Sequence, residues 1–196
     1  MDRTTLNSIL ASSTTDNFEA YSIAFGHADL MGLSSLDSSV MVNGQGPNLV
    51  QPGVTYTDPN SGGLQWNGDQ YFGINTNSIL PNSPDLYIDY ASGTDAFGLD
   101  LKCFSGFGYT GSMTVMSGAT VVGSANFALA GNAGESLFMG WQSAAPITRV
   151  ILHDDTYSWG ALIDDHTWGS VNSVPEPASL AVLGLGALAL VRRRRK

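Results

Sequence analysis

Apolar and polar side chains alternate along several short stretches of the chain, which is the pattern of strands that bury one face. Residues 85–90 and 97–103 each place an apolar side chain at every second position. The pattern continues through 112–117 and 119–127, and Gly118 between them predicts a hairpin turn. Further strands are predicted at 137–141, 147–153 and 161–163. No long stretch has the apolar spacing of an amphipathic helix, so the pattern predicts an all-β fold.

Turn-forming Gly, Asn, Asp and Pro residues separate these strands, which is typical of a β-sandwich or jelly roll rather than of alternating strands and helices. We therefore predict one β-sandwich, jelly-roll-like domain at residues 1–169 and a linker at 170–173. A chain of this size with 43% hydrophobic residues can bury one core. Residues 16–24 are predicted to form a short helix within the domain.

The C-terminal segment has three parts of different physical character. The first is a proline-rich motif formed by Val174, Pro175, Glu176 and Pro177, in which the prolines favour a stiff, extended backbone. The second is the uncharged, Leu- and Ala-rich run at 178–191. The third is the basic cluster of Arg192, Arg193, Arg194, Arg195 and Lys196. Because such cations stay on the cytoplasmic side of a membrane, we predict a transmembrane helix at 178–191 with a membrane stop at 192–196.

A packed core helix is the alternative interpretation of 178–191, because its 14 residues are fewer than the roughly 17–25 of an ordinary spanning helix. The run is apolar on all sides and is followed by five consecutive cations, and neither feature is typical of a core helix. Snorkelling side chains and local thinning of the bilayer accommodate a short span. The sequence therefore favours the membrane.

The order of motif, apolar run and basic end resembles the PEP-CTERM sorting signal of Gram-negative bacteria. Pro175, Glu176 and Pro177 match the Pro-Glu-Pro motif of that family directly. The resemblance implies recognition by an exosortase, an integral membrane enzyme that removes or replaces the tail during export. It further implies transient anchoring in the inner membrane, followed by delivery to the cell surface or an exopolysaccharide matrix.

The N-terminal residues depart from that family's pattern, in which a signal peptide is normal. Residues 1–13 contain Arg3 but no continuous apolar segment of the kind that a signal peptide needs. We therefore expect the true start to lie upstream of Met1. A leaderless protein that stays in the cytoplasm is the alternative.

The charge of the chain restricts its partners. Residues 1–173 contain 16 acidic and three basic residues, a formal charge of −13. Such a surface repels nucleic acid, whose binding depends on clustered Lys and Arg, and it repels acidic polysaccharides in the same way. The one cysteine, Cys103, cannot form an intrachain disulfide and is predicted to be a buried, inert side chain on the apolar face of a strand.

Two acidic pairs are candidates for a metal site: Asp154, Asp155, Asp164 and Asp165. Their carboxylates suit Ca²⁺, which prefers oxygen ligands, so a structural Ca²⁺ is the candidate cofactor. Zn²⁺ is disfavoured because its sites cluster Cys and His. Solvated turn carboxylates, with no metal bound, are the favoured interpretation of both pairs.

A weaker, pattern-level resemblance covers residues 96–169, which look like exported jelly rolls of the carbohydrate-binding or galactose-binding type. Tyr157 and Trp159 are predicted to be the most exposed aromatic side chains, and they are candidates for stacking on a sugar. The chain has no Gly-x-Ser-x-Gly, His-Glu-x-x-His or phosphate-loop motif.

We therefore expect a non-enzymatic surface or matrix protein that an exosortase sorts and that binds extracellular glycan. A polysaccharide-active enzyme with the same sorting tail is one alternative. A membrane-anchored protein that keeps its tail is the other.

Overall fold

The computed structural model describes residues 1–69, 74–103, 106, 108–132, 134–157 and 159–172. The elements, in chain order, are α1 (Arg3–Ile9), β1 (Leu10–Asp16), β2 (Ala28–Leu30), β3 (Ser35–Leu36), β4 (Val54–Thr57), β5 (Leu64–Asn67), β6 (Ser78–Pro81), β7 (Asp85–Lys102), β8 (Tyr109–Ser117), β9 (Thr120–Leu129), β10 (Ser136–Asp154) and β11 (Leu162–Val171). All their pairings are antiparallel within one sheet. The all-β prediction is thereby confirmed, and β11 extends past the predicted domain end at residue 169.

The helix does not lie where the sequence predicts it. The side chain of Asp2 accepts a hydrogen bond from the backbone N–H of Thr5 at 2.8 Å and caps α1, whose Leu6 is buried. Residues 17–24 form turns and irregular backbone instead of the predicted helix. The reason is that Phe18 reaches the core from a positive φ of 56°, where a helix cannot continue.

Two very long strands organise the sheet. β7 has 18 residues and β10 has 19, and each takes part in two sections of the sheet. Residues 85–90 of β7 pair with β4 and with 149–153 of β10, whereas residues 96–102 pair with β11 and with 136–142 of β10. Shifts of register between Gln142 and Arg149 mark the place where β10 passes from one section to the other.

The section that contains β4 has the strand order β3-β4-β7-β10-β8-β9. It ends in the β8–β9 hairpin predicted from the sequence. Gly118 lies in the turn with a φ of 57°, a backbone conformation that costs glycine little.

Alternation along these strands separates a buried side from an open side. Tyr56, Ile88, Val115 and Val150 are fully buried and belong to one core, to which both sections of the sheet contribute. Each such side chain stabilises the fold by about 1.5–3 kcal/mol. The residues between them point the other way, so the open side of this section carries side chains that are not needed for the core.

Candidate functional site

The open side of the β4-β7-β10-β8 section, which we call the outer face, is built from rows of side chains that run across the strands. In one row Thr55 lies opposite Asp89, Asp89 opposite Arg149, and Arg149 opposite Met116. The neighbouring row consists of Thr57, Tyr87, Ile151 and Thr114. Every one of these side chains is half-buried. The outer face therefore offers a mixture of hydroxyl, charged and aromatic groups on a rigid sheet.

Arg149 forms the centre of the outer face. Its Nε and Nη2 donate to Oδ1 and Oδ2 of Asp89 at 2.6 and 3.0 Å, and its Cζ lies 4.7 Å from the centre of the Tyr87 ring. These contacts arise because Arg149 is the direct cross-strand partner of Asp89, and Tyr87 lies two residues along the same face. The hydrogen bonds to Asp89 raise the pKa of Arg149. The result is a fixed ion pair with a net charge of zero.

An open groove of about 450 Å³ runs along this row and is lined by Thr55, Asp89, Met116, Thr148 and Arg149, among others. Its volume falls within the range of about 300–1,000 Å³ that is typical of small-ligand sites. No local pattern in the sequence indicates this groove. The alternation along 85–90 places Tyr87 and Asp89 on the polar side of a strand, but it does not reveal that Arg149 lies beside them.

A chain of buried hydrogen bonds lies on the other side of the sheet. The Nε2 of His166 is 2.8 Å from the hydroxyl of Tyr90, and its Nδ1 is 2.9 Å from the hydroxyl of Tyr56. Tyr56 donates to Oδ2 of Asp16 at 3.1 Å, and the backbone N–H of Gln51 reaches the same oxygen. Burial lowers the pKa of His166 to about 3 and raises the pKa of Asp16 to about 6. This network connects four strands and is sealed from solvent, so it has a structural role.

The four aspartates proposed for Ca²⁺ lie in two different environments. Asp154 is buried at the end of β10, where its Oδ1 accepts from the backbone N–H groups of Thr156 and Tyr157, whereas Asp155 is exposed. Burial raises the pKa of Asp154. Asp154 is therefore not the solvated turn carboxylate that the sequence favours.

The second acidic pair lies inside β11. Asp164 is buried and lies 3.5 Å from the Nζ of Lys102, and burial raises its pKa to about 6. Asp165 is half-buried with a φ of 44°, and its backbone N–H donates to Oδ1 of Asp164 at 2.7 Å. Asp164 is thus also not a solvated turn carboxylate, because β7 supplies a cation opposite it.

Metal-binding and nucleophilic side chains do not converge in the part of the chain that the structure describes. Among those residues, no three His, Cys, Asp or Glu side chains are grouped as a metal site would need. Cys103 is fully buried, and burial raises the pKa of its thiol, which disfavours the reactive thiolate. A Ca²⁺ ion at the four aspartates remains a prediction.

The predicted aromatic pair is less exposed than expected. The rings of Tyr157 and Trp159 stack on each other with centres 4.9 Å apart and an interplanar angle of 1°. The Tyr157 ring also meets the edge of Tyr109 at 5.6 Å. Both rings are half-buried against the core, because each covers a face of the other. Their contact with a sugar remains a prediction.

The predicted motif at 174–177, the helix at 178–191 and the basic cluster at 192–196 all lie outside the described residues. In the part that is described, no helix has the length and apolar character needed to cross a membrane.

Comparisons with known proteins give matches to solved structures and to one family model. Solved structures similar to this chain include a family 35 carbohydrate-binding module from Clostridium thermocellum, with 13% identity, coverage of 82% of this chain and 99% of that one, and a TM-score of 0.37. The K2 cleaved adhesin domain of Lys-gingipain has 16% identity, coverage of 81% and 98%, and a TM-score of 0.37. A family 6 carbohydrate-binding module has 13% identity, coverage of 70% and 94%, and a TM-score of 0.35.

These values are too low for the likenesses to establish a ligand or an activity of this chain. No curated protein matches the chain. A family model described as the PEP-CTERM protein-sorting motif matches residues 173–196, the segment that contains the Pro-Glu-Pro motif, the apolar run and the basic end. The chain therefore carries a PEP-CTERM protein-sorting motif.

Proposed function

We propose that this protein is an exported, non-enzymatic component of the cell surface or extracellular matrix, which an exosortase processes and whose outer face binds a neutral glycan. The sorting motif at 173–196 is the observation that carries this proposal. The motif explains the otherwise unusual end of an acidic chain, because five cations after an apolar run are suited to hold that run in a membrane.

The sorting part of the proposal is tested in the native host, with and without its exosortase, by following the mass and location of the protein with an antibody against residues 1–172. We expect a surface form that lacks or has exchanged the basic end, and we expect that form to disappear when the exosortase is absent. A full-length chain that stays in the cytoplasm of both strains would contradict the proposal. A surface form with an intact tail would favour the anchored alternative.

The glycan part of the proposal rests on the chemistry of the outer face. The Asp89–Arg149 pair presents acceptors and donors side by side, which suits neighbouring sugar hydroxyls, and the hydroxyls of Thr55 and Thr148 line the same groove. Tyr87 provides the apolar ring surface that the hydrogen-bonding groups lack. A neutral glycan is the preferred ligand because residues 1–173 carry a formal charge of −13, which repels acidic polysaccharides.

Arg149→Gln is expected to weaken the binding of a neutral polysaccharide by about 10- to 100-fold, since a hydrogen bond to a charged group contributes about 1.5–3 kcal/mol. Arg3→Gln is a matched control that lies outside the outer face. Nη2 of Arg3 pairs with Oδ1 of Asp100 at 3.0 Å, and its Cζ lies 4.6 Å from the centre of the Phe138 ring, so Arg3 makes the same two kinds of contact as Arg149. Affinity electrophoresis through gels that contain single polysaccharides measures both variants. Equal losses in the two variants, or none in either, would contradict binding at the outer face.

The enzymatic alternative fits the outer face poorly. A glycosidase needs two carboxyl groups on opposite sides of the scissile bond, one of them ready to donate a proton. Both oxygens of Asp89 accept hydrogen bonds from Arg149, and Oδ1 of Asp85 is 2.7 Å from Nδ1 of His153. Release of reducing sugar from any polysaccharide that the protein binds would favour the enzyme instead.

A further inference from the structure

We propose that Lys102 of β7 and Asp164 of β11 condense to an amide, so that a covalent isopeptide bond joins the two strands. The Nζ of Lys102 lies 3.5 Å from Oδ2 of Asp164, and the two side chains are only 16% and 2% exposed. This bond forms inside the folded domain, whether or not the outer face binds glycan. It requires no second enzyme, because both reacting groups belong to the same chain.

The register of the sheet brings this amine and this carboxyl group together. Lys102 lies directly opposite Leu162, and Asp164 is two residues further along β11, on the same face. Diagonal neighbours of this kind have Cα atoms about 7–8 Å apart, a gap that the long lysine side chain spans. Leu162 is fully buried, so the direct neighbour of Lys102 on this strand is apolar and the carboxyl group of Asp164 is the partner of its amine.

The contact is looser than another ion pair of the same sheet. Nε of Arg149 lies 2.6 Å from Oδ1 of Asp89, whereas Nζ of Lys102 lies outside the roughly 2.7–2.9 Å of a charge-assisted hydrogen bond. Burial is the largest cause that raises the pKa of Asp164 to about 6, and the charge of Asp165 adds to it. A carboxylate in this environment accepts a proton from the ammonium group, and the resulting acid and amine are the forms that condense.

The backbone of Asp165 holds the carboxyl group in place. Its φ of 44° is a conformation that residues other than glycine rarely adopt, and it lies where the pairing of β11 with β7 shifts register, between Asp164 and Thr167. In this conformation the N–H of Asp165 donates to Oδ1 of Asp164 at 2.7 Å. Backbone strain of this kind clusters at reactive sites. The N–H therefore fixes one carboxyl oxygen while the other faces Lys102.

The two carboxyl oxygens have different roles in the condensation. Lys102 transfers one proton to Oδ2, and its neutral Nζ attacks Cγ to form the C–N bond. The N–H of Asp165 stabilises the negative charge that develops on Oδ1, as backbone donors stabilise an oxyanion. Nζ then passes a second proton to Oδ2, with the carboxylate of Asp100, directly opposite Asp164, as the relay. The Cγ–Oδ2 bond breaks and one water leaves, so no oxidant, reductant or cofactor is consumed.

A covalent bond between β7 and β11 suits an exported domain of this composition. The two strands are neighbours in the middle of the sheet. A cross-link between them restricts the unfolded chain, which is how disulfides stabilise many exported domains. The one cysteine, Cys103, cannot form an intrachain disulfide. The isopeptide bond supplies the same restriction without sulfur and is not broken by reducing agents.

Intact mass tests the bond in the full-length chain, purified in detergent, incubated at pH 6 and then unfolded in urea. We expect the wild type to be lighter than its sequence by one water. Lys102→Arg is expected to have its full sequence mass, because the guanidinium group keeps the charge beside Asp164 but does not condense. A wild type of full sequence mass would overturn the proposal and leave the two side chains as an ion pair only.

Arg149→Lys is the matched control, because it places a second amine beside a carboxylate, that of Asp89, in a more exposed pair. We expect this variant to lose one water, as the wild type does, and not two. Loss of a second water would show that proximity alone is sufficient, and it would overturn the roles given to burial and to the N–H of Asp165.

Trypsin gives a second readout that locates the bond. Arg149 is the only Lys or Arg between Lys102 and Asp164, so trypsin cuts the unfolded chain once in this interval. In the wild type the pieces on the two sides of the cut should stay joined, and the amide should block cleavage after Lys102. In Lys102→Arg and in Asp164→Ala the pieces should separate. Separation in the wild type, or a loss of water at other residues, would overturn the inference even if a variant folds poorly.

Discussion

Replacement of Pro175, Glu176 and Pro177 by alanine is expected to remove nearly all of the processed surface form. From the sequence, the two prolines are expected to disfavour a helix through this segment and to favour an extended backbone before the apolar run. Alanine is the strongest helix former, so the variant would let the predicted helix at 178–191 extend into the motif. The enzyme would then meet a helix instead of an extended peptide, and the acidic side chain between the prolines would be missing as well.

The measurement is the intact mass of the protein in membrane and surface fractions of the host. Alanine at Ser8 and Thr120, two exposed positions far from the motif in sequence, is the control and should leave processing unchanged. A second variant with Arg192 to Arg195 and Lys196 changed to glutamine tests the membrane stop by itself. Unchanged processing in the alanine variant would show that the Pro-Glu-Pro motif is not what the enzyme reads.

The local alternation of side chains predicted the faces of the strands but not their neighbours. Leu86, Ile88 and Tyr90 are buried as the pattern indicates, and Gly118 forms the predicted turn. The groove on the outer face depends on a contact between Asp89 and Arg149, which are 60 residues apart in the chain. No local pattern contains that pairing, because it is decided by which strands become neighbours in the sheet.

The burial of a carboxylate also depends on which strands become neighbours, and the local sequence does not reveal this. The sequence favours a solvated turn carboxylate at Asp164. In the fold its strand passes beside Lys102, and the ion pair between these side chains allows Asp164 to be buried. The sorting motif differs from both cases, because its meaning lies in the linear order of its three parts, and that order is visible in the sequence.

His166→Phe is expected to lower the free energy of unfolding by about 2–5 kcal/mol at pH 7. The ring volume is retained, but the hydroxyls of Tyr56 and Tyr90 lose their nitrogen partners in a buried site, at a cost of about 1–3 kcal/mol each. One arrangement of protons satisfies the whole network: Tyr90 donates to Nε2 of His166, Nδ1–H donates to Tyr56, and Tyr56 donates to Asp16. A neutral histidine is required for this arrangement.

The same variant is expected to change how stability depends on pH. The folded-state pKa of His166 is about 3, well below the ordinary histidine value of 6.5, so the unfolded chain binds this proton first, and the contribution of His166 to the stability of the wild type is lost as the pH falls from about 6.5 towards 3. Asp16 acts in the opposite direction, because its pKa is raised from 3.8 to about 6 and the folded state binds its proton first.

Unfolding by urea, followed by tryptophan fluorescence at pH 7 and pH 4, should therefore show a smaller loss of unfolding free energy on acidification in His166→Phe than in the wild type. Tyr90→Phe is the matched control, since it removes one hydrogen bond but keeps the histidine and with it the loss between these two pH values. An equal loss in His166→Phe and the wild type would mean that His166 is not held neutral by the fold.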